Sequence, residues 1–148
     1  MKRDGFNWDS IPTISKTGTD PAIEVSPDSA TYAYVVPAGK RARVEGASMT
    51  LVCSADAANR SMFLRISDGT NDIFDSVAGL TITAGQTRIQ TWVRMSMLTT
   101  AGTQYGVHIP DIELQAGWKI QIAVNNFDTV AAGDNASALT VYVKEAPP

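Results

Sequence analysis

The chain contains few of the residues on which common protein chemistries depend. Its 148 residues include one cysteine, Cys53, and one histidine, His108, so an internal disulfide and a metal site built from several histidines are both excluded. Twelve basic residues against 15 acidic ones give a net charge of −3, whereas nucleic-acid binding requires Lys and Arg gathered on one face. We therefore expect no nucleic-acid partner.

Long apolar segments are also missing. No apolar run approaches the roughly 20 residues that a membrane-spanning helix requires, and the first residues lack the apolar core of a signal peptide. We therefore expect no membrane partner and no export by the ordinary secretory route. With 44% hydrophobic and 18% charged residues, the composition is that of one globular domain.

Motifs for catalysis and for cofactor binding are scarce as well. The sequence has no Gly-x-Ser-x-Gly elbow, no Walker loop and no Gly-x-Gly-x-x-Gly fingerprint. The segment 68–72 (DGTND) lacks the spacing and closing glutamate of an EF-hand, so it is better interpreted as a hairpin turn. Cys53 has no flanking cluster of basic residues in the sequence and is expected to be a small buried hydrophobe, while His108 is expected on a surface or at an interface. We predict no enzyme activity, no catalytic residues, no cofactor and no metal.

Alternation of apolar and polar residues predicts a protein made of strands. The segments 118–124 and 139–144 alternate strictly, as half-buried strands do. Within 41–53 the apolar positions change phase near Gly46, which predicts a bulge or bend. The predicted strands lie near 31–36, 41–53, 61–67, 71–76, 79–83, 87–98, 104–109, 118–124 and 139–144. The fold predicted from them is all-β, a two-sheet antiparallel sandwich that is jelly-roll-like.

Residues 1–29 lack sustained alternation and predict an extended N-terminal arm, followed by a β-sandwich domain at residues 30–148. Apolar side chains within the arm favour docking on a neighbouring molecule over a solvated tail. The predicted partner-binding residues of the arm are Phe6, Trp8, Ile11 and Ile14. The stretch 125–138, rich in Asn, Asp, Ala and Gly, is predicted to be a long irregular loop.

The longest alternation, at residues 88–98, separates two faces of one predicted strand. The predicted core face consists of Ile89, Thr91, Val93, Met95 and Met97. Arg88, Trp92 and Arg94 fall on the opposite face, and an exposed Trp beside Arg is typical of an interface. We predict that these three line a sheet face or a subunit interface. The alternatives are a Trp92 that is covered by the arm or a loop, and a Trp92 that stacks on a sugar.

Three phrases of the sequence resemble small jelly-roll structural proteins of tailed bacteriophages, especially head decoration (cement) proteins. They are 36–41 (VPAGKR), 114–120 (LQAGWKI) and 138–143 (ALTVYV). The likeness covers about residues 30 to 145. It lies in the general pattern of the sequence and not in a diagnostic motif, so no contact residue is carried over from it.

The resemblance implies a non-enzymatic virion protein that is made in the bacterial host cytoplasm and binds the outer capsid surface. It further implies a homotrimer whose partner is the major capsid protein, and which stabilises the capsid by bridging major capsid subunits. Two alternative functions remain open: a phage tail- or fibre-associated adaptor, and a carbohydrate-binding module.

Overall fold

The computed structural model describes residues 6–25, 31–57, 59–77, 81–94, 100–101, 104–124 and 134–148. One turn of 3-10 helix, Trp8–Ser10, is followed by strands that are numbered here in chain order. Their bounds are β1 Ile14–Thr17, β2 Ile23–Val25, β3 Thr31–Val35, β4 Arg41–Val52, β5 Met62–Ser67, β6 Asp72–Val77, β7 Thr87–Val93, β8 Thr100–Ala101, β9 Gln104–His108, β10 Glu113–Leu114, β11 Lys119–Val124 and β12 Asn135–Ala146. In the described ranges no helix has the length and hydrophobicity to traverse a bilayer.

The strands form two sheets that pack face to face. The larger sheet has the order β1-β12-β4-β7-β9-β8, with β10 beside β4, and the smaller one has the order β2-β3-β11-β5-β6. The predicted all-β, two-sheet sandwich is confirmed. One departure is that β7 and β9 are parallel, because the chain between them passes through β8, which pairs antiparallel with β9.

Inward-facing side chains of both sheets form one hydrophobic core. In β4 these are Ala42 and Val44 before Gly46, and Ala47 and Met49 after it. The register of β4 against β12 shifts at the same place, so one extra residue of β4 changes which side chains face inward. The predicted bulge near Gly46 is confirmed.

The Asp68-Gly69 hairpin is also confirmed. Strands β5 and β6 pair antiparallel on either side of it, and the φ of +96° at Gly69 suits a residue without a Cβ. The Asp68 Oδ1 accepts hydrogen bonds from the backbone N–H groups of Thr70 at 2.8 Å and Asn71 at 2.7 Å. These bonds favour the ionised carboxylate and lower the pKa of Asp68.

Strand β7 differs from its prediction in length and in orientation. It ends at Val93, and the predicted continuation at 95–98 lies outside the described residues. Gln90 and Trp92 face the core, and Ile89, Thr91 and Val93 face outward, half-buried. The predicted core face was therefore wrong. An indole contributes more apolar area than any side chain of the other face, and the small Ala47 directly opposite leaves room for it.

Two other segments contain strands that the pattern did not indicate. Within the predicted arm, β1 pairs with β12 and β2 pairs with β3; both are too short to show a clear period. The arm boundary at residue 29 stays a prediction, because residues 26–30 lie outside the described ranges. The predicted loop 125–138 was wrong at its end, since β12 begins at Asn135; residues 125–133 are not described. Of the predicted strand 79–83, residues 79–80 lie outside the described ranges, and in the described part Ile82 forms a single bridge to Arg60.

Candidate interaction surface

The aromatic residues of the predicted arm pack against this chain itself. The Arg41 guanidinium lies 4.0 Å from the centre of the Phe6 ring and 5.6 Å from that of Trp8, within the range of cation–π attraction. The Trp8 indole N–H donates to Glu113 at 3.1 Å, and the Lys144 ammonium donates to the Trp8 carbonyl at 3.0 Å. Trp8 is consequently buried.

Ile11 and Ile14, the aliphatic residues of the arm that were predicted to bind a partner, are half-buried. The Ile11 N–H closes the 3-10 turn by donating to the Trp8 carbonyl at 3.2 Å. Ile14 lies opposite Val143 in the larger sheet and packs against the core. The structure thus brings Phe6 and Trp8 together and uses the arm residues for contacts within the chain; their predicted role in binding a partner stays a prediction.

Arg88, Trp92 and Arg94, which were predicted to line a sheet face or a subunit interface, do not form one patch. Trp92 is fully buried, and its Nε1 has no hydrogen-bond partner in the described part of the chain. Arg88 is half-buried near Cys53, whose own burial raises the pKa of the thiol. Arg94 pairs with Glu45 at 3.0 Å. Trp92 therefore offers no platform for stacking a sugar, and the partner-binding role of the three stays a prediction.

The outward side of the larger sheet carries a surface that the sequence analysis did not single out. We call it the uncharged face. It spans β1, β12, β4 and β7, and its side chains are Ser15, Thr17, Ser48, Thr50, Val52, Thr87, Ile89, Thr91, Val93, Asn135, Ser137, Thr140 and Tyr142. None of them is a Lys, Arg, His, Asp or Glu side chain.

Strand register sets these residues in rows. Thr17, Thr140, Ser48 and Thr91 align directly across the four strands. Because neighbouring strands lie about 4.8 Å apart, the row places hydroxyl-bearing side chains at regular spacing. The result is a broad surface of hydroxyl and methyl groups.

Tyr142 stands at the end of the uncharged face that borders the charged residues, since the next outward residue of its strand is Lys144, opposite Arg43. Its Cδ2 lies 3.8 Å from the place that a Cβ of Gly46 would occupy, and its side chain is 41% exposed. The missing side chain at Gly46 lets the ring lie close to the sheet. The alternation of 139–144 was the signal for this residue, because it sets Tyr142 opposite the core positions Val141 and Val143.

Among the described side chains on the same side of the sheet, the charged residues lie at one end. Arg43 pairs with Asp111 at 2.9 Å, and Arg94 pairs with Glu45 at 3.0 Å and with Asp111 at 3.5 Å. Both signs are present, and the pairs are formed within the chain. This end therefore offers little uncompensated charge to a partner.

Two buried carboxylates hold the layers and loops together. Glu145 accepts from the Tyr34 hydroxyl at 2.8 Å and pairs with Lys40 and with Lys16, the latter at 3.4 Å. Its burial alone would raise the pKa, but these partners outweigh burial, so the pKa of Glu145 is lowered. The second carboxylate, Asp134, pairs with Arg60 at 2.8 Å, and both side chains are fully buried.

The described residues offer no arrangement for metal chemistry, since no three His, Cys, Asp or Glu side chains in them are grouped to hold an ion. His108 is exposed, as predicted, and Cys53 is buried.

No protein-family model matches the chain, and no curated protein does either. Two solved structures of infectious bursal disease virus are similar to it. The T13 viral particle matches with a TM-score of 0.44 and 12% identity over 89% of this chain and 30% of the viral chain. The Gt strain matches with a TM-score of 0.39 and 11% identity over 90% of this chain and 29% of the viral chain. The chain thus spans under a third of either viral chain, and likenesses this distant carry no argument about function.

Proposed function

We propose that this protein is a non-enzymatic structural component of a tailed-phage virion, which binds the outer capsid surface and bridges major capsid subunits. The observation that carries the proposal is the uncharged face, on which Tyr142 and Val52 are exposed. Exposed apolar and aromatic side chains surrounded by neutral polar ones mark protein contact surfaces. The sequence phrases that resemble decoration proteins support the same function.

The mechanism that we propose is avidity. A homotrimer on a symmetric shell presents the same contact surface three times, so that the second and third contacts are effectively intramolecular. Individually modest contacts then resist rupture of the shell together. The paired charges of Arg43, Glu45, Arg94 and Asp111 leave non-polar contact, rather than charge attraction, as the main source of affinity.

The experiment that tests the proposal is the copy number of this protein in purified virions from its source, measured by quantitative mass spectrometry. A copy number comparable to that of the major capsid protein supports a lattice-wide decoration function. A few copies for each tail or vertex would instead favour the adaptor function. Absence from the virion would refute a structural role.

A further inference from the structure

We infer that the uncharged face is the surface by which this protein docks on the capsid shell, and that its partner there is a flat, uncharged protein surface. The inference rests on the proposed function and adds the contact surface and the chemistry of the partner. It assigns docking to the larger sheet rather than to the predicted arm.

The first support is the distribution of charge. The uncharged face crosses four strands without a Lys, Arg, His, Asp or Glu side chain, although 27 of the 148 residues are Lys, Arg, Asp or Glu, counted as 12 plus 15. Charged residues are depleted at the centres of protein interfaces because their desolvation is costly. A surface that contacted only water would have no reason to exclude them.

The second support is where apolar side chains are exposed. In the described part of the chain, the exposed large hydrophobic residues are Val52, Ile73 and Tyr142. Two of these three lie on the uncharged face, at 40% and 41% exposure, and the third lies on β6 of the smaller sheet. Tyrosine is enriched among the residues that dominate binding energy, and the Tyr142 ring lies beside Gly46.

The size of the face argues for a shell rather than a second copy of this chain. Four strands at about 4.8 Å and some seven residues at about 3.3 Å cover about 440 Å². A stable dimer needs about 800 Å² from each partner. A pair held by this face alone would therefore be weak, whereas a lattice that retains each molecule through several such contacts would hold it.

The chemistry of the face predicts what the partner presents. Its rows of Ser and Thr side chains donate and accept hydrogen bonds without net charge, and Val52, Ile89 and Val93 add apolar area. A complementary surface is therefore neutral, flat and mixed apolar and hydroxyl- or amide-bearing. Binding through it should vary little with salt, because few exposed charges are involved.

The test compares Tyr142→Lys with Ile73→Lys, which has a similar exposure on the other sheet. Capsids purified from the source particles and stripped of this protein are incubated with each variant at low and high salt, then sedimented. We expect Tyr142→Lys to weaken binding at least about tenfold and Ile73→Lys to bind within about twofold of wild type. Val52→Lys provides a second variant of the same face should Tyr142→Lys fold poorly, as judged by circular dichroism.

The outcomes separate the inference from the proposed function. Failure of the wild-type protein to bind stripped capsids would refute the proposed function, and the inference with it. Binding of wild type together with equal binding of Tyr142→Lys and Val52→Lys would overturn the inference alone. A loss of self-association in these variants, measured by light scattering, would also overturn it, because the face would then be an interface between copies of this chain.

Discussion

Replacing Asp134 by asparagine removes the negative charge from an ion pair that has no solvent access. Arg60 donates from Nε to Asp134 Oδ2 at 2.8 Å and from Nη2 to Oδ1 at 2.9 Å. It also donates to the Asp56 carbonyl at 2.9 Å and to the Ser54 hydroxyl at 3.1 Å. Because these contacts fix the guanidinium in place, the Asp134→Asn variant retains a buried cation without a counter-charge.

The expected loss of stability in Asp134→Asn follows from this burial and from these contacts. Breaking a buried ion pair by removing one partner costs about 3 kcal/mol or more, because the remaining charge stays desolvated. For a chain of this size about 3 kcal/mol lowers the Tm by about 9 °C. The assay is urea unfolding at neutral pH, in which the midpoint falls and the slope stays constant.

Asp75→Asn provides a matched control. Asp75 also binds an arginine with two hydrogen bonds, from Arg65 at 2.7 and 2.9 Å, but its side chain is 47% exposed. We expect Asp75→Asn to lower the free energy of unfolding by less than about 1 kcal/mol, since exposed ion pairs contribute little to stability. Equal losses in Asp134→Asn and Asp75→Asn would refute the reasoning, because burial would then not determine the cost.

The dependence on pH gives a second readout of the same pair. Burial alone would raise the pKa of Asp134, but the hydrogen bonds from Arg60 and Ser54 outweigh burial, so the pKa is lowered. A carboxyl group with a lowered folded-state pKa stabilises the fold above its unfolded pKa, and this contribution is lost as the pH falls through the folded pKa. Asp134→Asn should therefore lose less stability on acidification than wild type does.

Three further changes test other parts of the packing. Trp8→Ala should destabilise the fold by about 3 kcal/mol, because the indole is buried; a loss below about 1 kcal/mol in urea unfolding would show that residue 8 belongs to a dispensable arm. Gly46→Ala should cost about 2 kcal/mol, since its Cβ would lie 2.9 Å from the Trp92 carbonyl oxygen; Gly18→Ala, with nothing within 4 Å, is the control for the same thermal melt. Glu145→Gln should flatten the fall in Tm below the ordinary pKa of glutamate, because the lowered pKa of Glu145 makes its stabilising effect disappear on acidification; an unchanged pH profile would contradict this.

The sandwich could be predicted from the sequence because long strands repeat the alternation of apolar and polar residues often enough to be recognised. The phase change at Gly46 and the turn at Gly69 both had a local chemical cause, and both are confirmed. Short edge strands such as β1 and β2 have too few residues to show a period. Their place is set by pairing with distant strands, which no local pattern encodes.

The orientation of β7 could not be predicted from its own alternation. Either face of that strand contains enough apolar area to be buried, and the choice depends on Ala47, which lies on another strand opposite Trp92. The uncharged face could not be predicted for the same reason, because it depends on how distant strands pair. Tyr142 could be recognised as outward-facing, but the neutral residues of the uncharged face come from four strands and meet only in the folded sheet.

The outer surfaces of the two sheets differ in their charged residues. On the smaller sheet, Lys119 pairs with Glu24 at 3.1 Å and Arg65 pairs with Asp75 at 2.7 Å. Exposed ion pairs such as these add little stability, but they keep a sheet surface hydrated and oppose adhesion to other proteins. The uncharged face of the larger sheet has no such protection along its rows. If the protein docks through the uncharged face, as we propose, the smaller sheet faces away from the partner and stays in contact with solvent.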